Sequence, residues 1–295
     1  MAEKFNYGGQ AVIEGVMMRG ARTMALAVRD PDGNIVVEED VLNQTIYSGP
    51  ISRIPFVRGL VMLWDAMGLG IRSLITAADV AMDEDVSLNG PVGWASALFG
   101  VVLGIGLFML FPSALAGSFN TSLASGWTNS LLEGVIRLLF LVGYVWLVSF
   151  MPDMKRVFAY HGAEHKTINA YEAGEELTVK NVRRFPRLHA RCGTSFLLTL
   201  VVLSIFIFAP LNPPTLLWRL ASRLVLLPVL TGVAYEVIRL ASRHTDRPWV
   251  RLLVTPNLTL QRLTTSEPDD EMLEVSITAL KTVLDGEIRL SPSVL

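Results

Sequence analysis

Hydrophobic residues are gathered into long runs rather than spread evenly through the chain. The run from Trp94 to Ala116 carries no charge, and Leu131–Met151, Thr194–Pro210 and Leu216–Ala241 follow it. A helix needs roughly 20 residues to cross about 30 Å of hydrocarbon. The pattern therefore predicts four transmembrane helices. Upstream, Arg58, Asp65, Arg72 and Asp79 recur every seven residues through a largely apolar stretch. On a helix they form one narrow stripe of alternating charge. Either a fifth span turns that stripe toward other helices, or the helix is interfacial or re-entrant. A span would leave basic N-terminal residues outside and put Asp83, Glu84 and Asp85 inside, so charge favours the interfacial or re-entrant helix.

Shorter patterns surround these runs. Thr23–Arg29 and Asn34–Asp40 flank Asp30-Pro31-Asp32-Gly33, a turn signal, and predict a hairpin. Gly8, Gly9, Gly15 and Gly20 predict tight turns or close backbone approach before it. Leu273, Ile277, Leu280 and Leu284 recur at helical spacing between Pro268 and Asp285, with Ser266 placed to cap. The expected fold is an α-helical polytopic membrane protein. It has four transmembrane helices, one interfacial or re-entrant helix and a small cytoplasmic α+β layer. Residues 1–57 form a β-rich segment, and 58–93 the interfacial helix and linker. The four-helix domain is 94–241, with a cytoplasmic loop at 152–193, and 242–295 is a C-terminal segment with an amphipathic helix.

Composition agrees: 51% of residues are hydrophobic and 18% charged. A net charge of -2 leaves no basic excess for phosphates, which argues against nucleic acid as a partner. The expected partner is the lipid bilayer, with another membrane protein or further copies of the chain as candidates. The single cysteine, Cys192, excludes an intrachain disulfide and leaves a thiol or a metal ligand. Glu14 and Arg19 interrupt the first apolar residues, so no cleavable signal peptide is expected and the first span directs insertion. Seven basic residues precede position 94, eight fall within 152–193 and six follow Ala241, while 117–130 and 211–215 hold none. The positive-inside rule puts both termini and the 152–193 loop in the cytoplasm.

Candidate chemistry collects in that loop. His161-Gly162-Ala163-Glu164-His165 matches H-x-x-E-H, the inverted zinc-protease motif. Histidines four apart share a helix face and can reach one divalent ion, zinc being the best match to the available donors. Glu164 is placed to take a proton from attacking water, and Glu172 falls on roughly the same face. Further ligands are open between His189, Cys192 and Glu236. A shell of His161, His165, His189 and Cys192 would be closed and structural, whereas an enzyme keeps one position free. Glu236 near the end of the last span otherwise pairs with Arg239 or Arg243. Glu133 and Arg137 are expected to pair with each other, and His244 reads as an interfacial polar residue. Thr194 and Ser195 read as hydrogen-bonding residues at the start of a span. No phosphate-binding loop is present.

Several strings together resemble the YqhQ-like family of bacterial membrane proteins of unknown function. They are Tyr7–Arg19, His161–Lys166 with Tyr171-Glu172, Arg191–Ser195, Gln261–Thr265 and Glu267–Asp270. The resemblance implies an inner-membrane protein with these motifs on the cytoplasmic side, in a family catalogued as predicted metal-dependent enzymes. Two functions are carried forward. One is a metal-dependent membrane hydrolase acting on a peptide or lipid bond near the cytoplasmic face, with Glu164 as base. The other is a non-enzymatic accessory or scaffold for membrane-protein insertion, folding or transport. It would dock through the charged stripe, the hairpin and the C-terminal helix.

Overall fold

The computed structural model describes residues 7–44, 50, 54–82, 90–118, 126–189, 192–211, 215–242 and 247–290, without the side chains of 126, 194–195, 242 and 248–254. Asp83–Asp85, Arg243 and His244 lie outside the described residues, as do the side chains of Thr194 and Ser195. Four strands, β1 (Gly8–Val12), β2 (Gly15–Arg19), β3 (Thr23–Arg29) and β4 (Ile35–Val41), form an antiparallel meander in chain order. The hairpin expected around Asp30–Gly33 is β3–β4, closed by Gly33 N–H to Asp30 O, with Gly33 at φ 87°. The glycine-punctuated stretch before it is the β1–β2 hairpin, in which Gly9 is closely approached by Met17 and Glu164.

Helices follow. They are α1 (Val57–Ala81), α2 (Pro91–Ser118), α3 (Gly126–Val148), α4 (Pro152–Glu172) and the short α5 (Val179–Val182). Then come α6 (Thr194–Phe208), α7 (Leu216–Ser242), α8 (Pro248–Thr264) and α9 (Asp270–Leu290). The sheet is covered on both faces. Val12, Met17, Met24, Leu26 and Val28 pack on Leu69, Ala77 and Val80 of α1. Val16, Met18, Ala25 and Ala27 pack against α4 and the apolar stripe of α9, including Leu273, Leu280 and Val283. That stripe is the C-terminal periodicity read from sequence.

Among the described residues, four helices are long and apolar enough to cross a bilayer: α1, α2, α3 and α7. Length admits α1 and passes over α6, which has 15 residues; the contacts separate the two differently. At its start, α1 bonds Arg58 Nε to Glu236 at 2.7 Å and packs Gly59 on Tyr235, both residues of the last turns of α7. Further on, Arg72 bonds Glu38 and Asp40 of the sheet, and Ala77 and Val80 lie on it. The first half of α1 thus packs on α7 and the second half on the sheet. In contrast, α6 starts beside Cys192 and ends at Phe208, whose ring lies 4.4 Å from the Arg223 guanidinium at the opposite end of the membrane domain.

At that opposite end, Glu133 and Arg137 pair as expected, at 2.7 Å. Arg223 adds a second arm, its Nη2 at 2.6 Å from the other Glu133 oxygen. A π turn over Gly106–Leu110 interrupts α2, and Arg137 Nε donates to the carbonyl of Phe108 within it at 3.1 Å. Such turns loosen the normal ladder and free carbonyls for other donors. Ser204 receives Arg137 Nη1.

A candidate metal centre at the junction of sheet and membrane helices

Pro152 occupies the first turn of α4, where its missing N–H costs nothing, and Asp153 suits the helix dipole there. The helix carries His161, Glu164 and His165 inward. Glu164 and His165 are 5% and 1% exposed. Each histidine is oriented through Nδ1. His161 Nδ1 faces the carbonyl of Thr264 at 2.8 Å, and His165 Nδ1 that of Arg187 at 2.7 Å. A carbonyl only accepts, so both Nδ1 atoms carry the proton and both Nε2 atoms keep a lone pair. This is how metal-binding imidazoles are commonly fixed.

One ring nitrogen of each histidine and Cys192 Sγ lie within 4.8 Å of one another, with His161 Nε2 to Sγ at 3.2 Å. Donors around one tetrahedral zinc, at its usual N and S bond lengths, sit about 3.5 Å apart. His165 Nε2 is buried with no hydrogen-bond partner among the described residues. Leaving such an atom unsatisfied costs on the order of 1–3 kcal/mol, and a bound cation removes that cost. Burial, helped by His161, pushes the His165 imidazole down to about 3, so it stays neutral and able to ligate. Donor chemistry, tautomers and spacing all fit a divalent ion.

Glu164 adjoins the cluster, one oxygen 3.9 Å from His161 Nε2. Burial raises its pKa, opposed by His161 and by an N–H donated from Gly9 of β1. A side chain at Gly9 would meet the Met17 carbonyl and Glu164 itself, so only glycine lets the strand approach so closely. Gly162 serves likewise on α4. A Cβ there would sit 2.1 Å from Ser266 O, and its absence lets residues 264–266 cross the helix and present the Thr264 carbonyl to His161.

The remaining candidates separate. His189 stands behind the cluster, its ring 5.7 Å from that of His165 and its Nε2 3.5 Å from Glu172. It is not among the three close donors, so the closed four-ligand shell does not form, and Glu172 supports His189. Glu236 is removed from the ligand set, because Arg58 takes both its oxygens and the Phe56 N–H donates to one. Its hydrogen-bonded partner is Arg58, reached from α1, with the charge of Arg239 acting in the same direction; Arg243 lies outside the described residues. Gln261 was missed. Its amide clamps the His189 backbone, accepting from N–H at 3.0 Å and donating to C=O at 2.9 Å. Its string was visible in the sequence, but nothing local linked it to His189, 72 residues away.

A cavity of about 420 Å³ opens on the cluster, between Tyr7–Ala11 of β1, one face of α4 (Val157, His161, Glu164, Ile168) and Leu197 of α6. Comparison with known proteins places this architecture. The family described as "Protein of unknown function (DUF1385)" matches residues 54–286. An uncharacterized protein, YqhQ, of Bacillus subtilis (strain 168) is 35% identical over 293 residues, covering 94% of this chain and 92% of its own. The chain belongs to the DUF1385 family. No solved structure matches it. Within this DUF1385 chain, the junction of α4, β1 and α6 combines a three-donor cluster, an adjoining carboxylate and an open cavity.

Proposed function

We propose that the chain is a metal-dependent membrane hydrolase acting at the interface on the sheet side, on a peptide or lipid bond. The observation that carries this reading is the buried, unpartnered Nε2 of His165, which converges with His161 Nε2 and Cys192 Sγ at the mouth of a cavity. Three protein donors converge there, the number typical of catalytic rather than structural zinc sites. A divalent ion bound there, zinc by donor type, would supply Lewis acidity toward the scissile carbonyl. His161, His165 and Cys192 would hold it, with Thr264 and Arg187 fixing the two imidazole rings. Glu164 takes the proton from attacking water and returns it to the leaving group, and its raised pKa suits both halves of that transfer. The basic residues gathered around 152–193 support a cytoplasmic setting for this face in a bacterial plasma membrane.

The accessory reading has less support. Of its three docking surfaces, α1 bonds α7 and the sheet and α9 packs on β2 and β3, while β4 of the hairpin keeps Val36, Val37 and Val41 exposed. The test is zinc-loaded protein in lipid nanodiscs against amide and ester substrates, beside Glu164→Gln. Turnover by the wild type that Glu164→Gln loses while retaining zinc is expected. Equal turnover by both removes Glu164 from the mechanism.

A further inference from the structure

Among the described residues, β1 pairs with β2 alone, so its other side is a sheet edge. The register fixes which peptide groups lie along that edge. Val12 and Gly15 close the hairpin, so Val12, Gln10 and Gly8 exchange hydrogen bonds with Gly15, Met17 and Arg19. The N–H and C=O groups of Gly9 and Ala11 therefore point away from β2. The bond from Gly9 N–H to Glu164 agrees with that direction. The edge groups run beside the α4 face that carries His161 and Glu164, with the 420 Å³ cavity between them.

A second cavity, about 470 Å³, reaches the same strand from its other face, lined by Met17, Met62, Leu63, Phe196 and Tyr235. Both cavities include Gly8, Gly9, Gln10 and Gly193. A chain lying along β1 meets one cavity on each side. That matches an extended peptide, whose side chains alternate between two faces, better than a lipid tail, which needs a single tunnel. Strand addition to a free edge is a recurring mode of peptide recognition.

We propose that the site takes an extended peptide segment of a protein at the membrane interface, bound as an added strand on β1. The proposal rests on the hydrolase reading and names its substrate class. With the Gly9 N–H held by Glu164, the Gly9 C=O and the N–H and C=O of Ala11 bond the substrate backbone, the two cavities take successive side chains, and the scissile carbonyl lies at the His161–Cys192 cluster. Water oxygen adds to that carbonyl carbon and the C–N bond breaks. Glu164 carries the water proton to the departing amine, leaving a carboxylate and a free amine.

The test uses full-length, zinc-loaded protein in nanodiscs and fluorescein-labelled β-casein, an unstructured polypeptide, followed by fluorescence anisotropy. Ala11→Pro deletes one edge N–H, and the β1–β2 ladder is kept because that N–H does not face β2. Affinity is expected to fall about tenfold, the equivalent of one backbone hydrogen bond, while zinc content stays at the wild-type level. Hydrogen exchange supplies a readout independent of any variant, with the wild-type Ala11 amide expected to gain protection on casein binding. Unchanged Ala11→Pro affinity, or no added protection at Ala11, overturns strand addition. Failure to bind casein, with release of headgroups from phosphatidylglycerol vesicles, overturns the peptide class and leaves the hydrolase standing. Wild-type protein that takes up no zinc removes the hydrolase reading itself.

Discussion

Glu133 and His165 are each only 1% exposed, yet their surroundings are completed differently. Glu133, among the membrane helices, has both oxygens engaged by Arg137 and Arg223, and Arg137 is further bonded by Ser204 and the carbonyl of Phe108. His165, at the junction with the sheet, has Nδ1 bonded to a carbonyl and Nε2 without a hydrogen-bond partner among the described residues. The first cluster is closed to further partners and ties α2, α3, α6 and α7 together. The second points its lone pairs, with those of His161 and Cys192, at one place beside a cavity. A satisfied buried network fixes structure, and a buried network left one partner short is where a ligand belongs.

The largest expected effect breaks the closed cluster. Glu133→Ala leaves two buried guanidiniums without their counter-charge and should destabilise the protein by about 3–5 kcal/mol, read as loss of folded protein in thermal melts in detergent. The open cluster should respond in function instead. Glu164→Gln is expected to lower turnover by roughly 100-fold or more, the usual span for a general base, with zinc content and melting temperature close to wild type. A collapse in stability there would mean that the two clusters are not distinct in kind.

Acid sharpens the contrast. The folded-state pKa of His165, about 3, lies below its ordinary value of 6.5. The unfolded chain therefore binds the extra proton between those values. The stability that His165 contributes is complete above about pH 6.5 and declines as pH falls toward 3, by up to about 1.4 kcal/mol per unit. Glu164 has the opposite sign: its raised pKa gives stability at low pH that is lost as pH rises through the folded value. In metal-free protein, His165→Gln removes the first contribution and leaves the second, so its melting temperature should fall less than that of the wild type between pH 6.5 and pH 4. The smallest effect is at Glu236. Glu236→Gln weakens the pairing with Arg58, by about 1 kcal/mol at this part-exposed position, and should leave metal content unchanged.

How far the sequence reached depended on the range of each interaction. Spans α2, α3 and α7 were legible because hydropathy is a local property, and the Asp30–Gly33 hairpin and the stripe of α9 because turn chemistry and periodicity are local too. His161 and His165 were legible for the same reason, one helical turn apart. The choice among His189, Cys192 and Glu236 was not. It depends on Thr264, 103 residues from His161, on Gln261 holding the His189 backbone, and on Arg58 capturing Glu236 across 178 residues. The β1–β2 hairpin was hidden by its glycines, which weaken a strand signal while permitting the close approach to Glu164.

The central claim is a divalent ion held by His161, His165 and Cys192. Its most direct test is metal content by plasma mass spectrometry, on protein purified in mild detergent without a histidine-rich tag, beside a His161→Ala, His165→Ala variant. Near-stoichiometric zinc, or another divalent metal, in the wild type and its loss in a folded variant is the expected result. Wild-type protein without metal, even after reconstitution with added zinc, manganese or iron, would contradict the account.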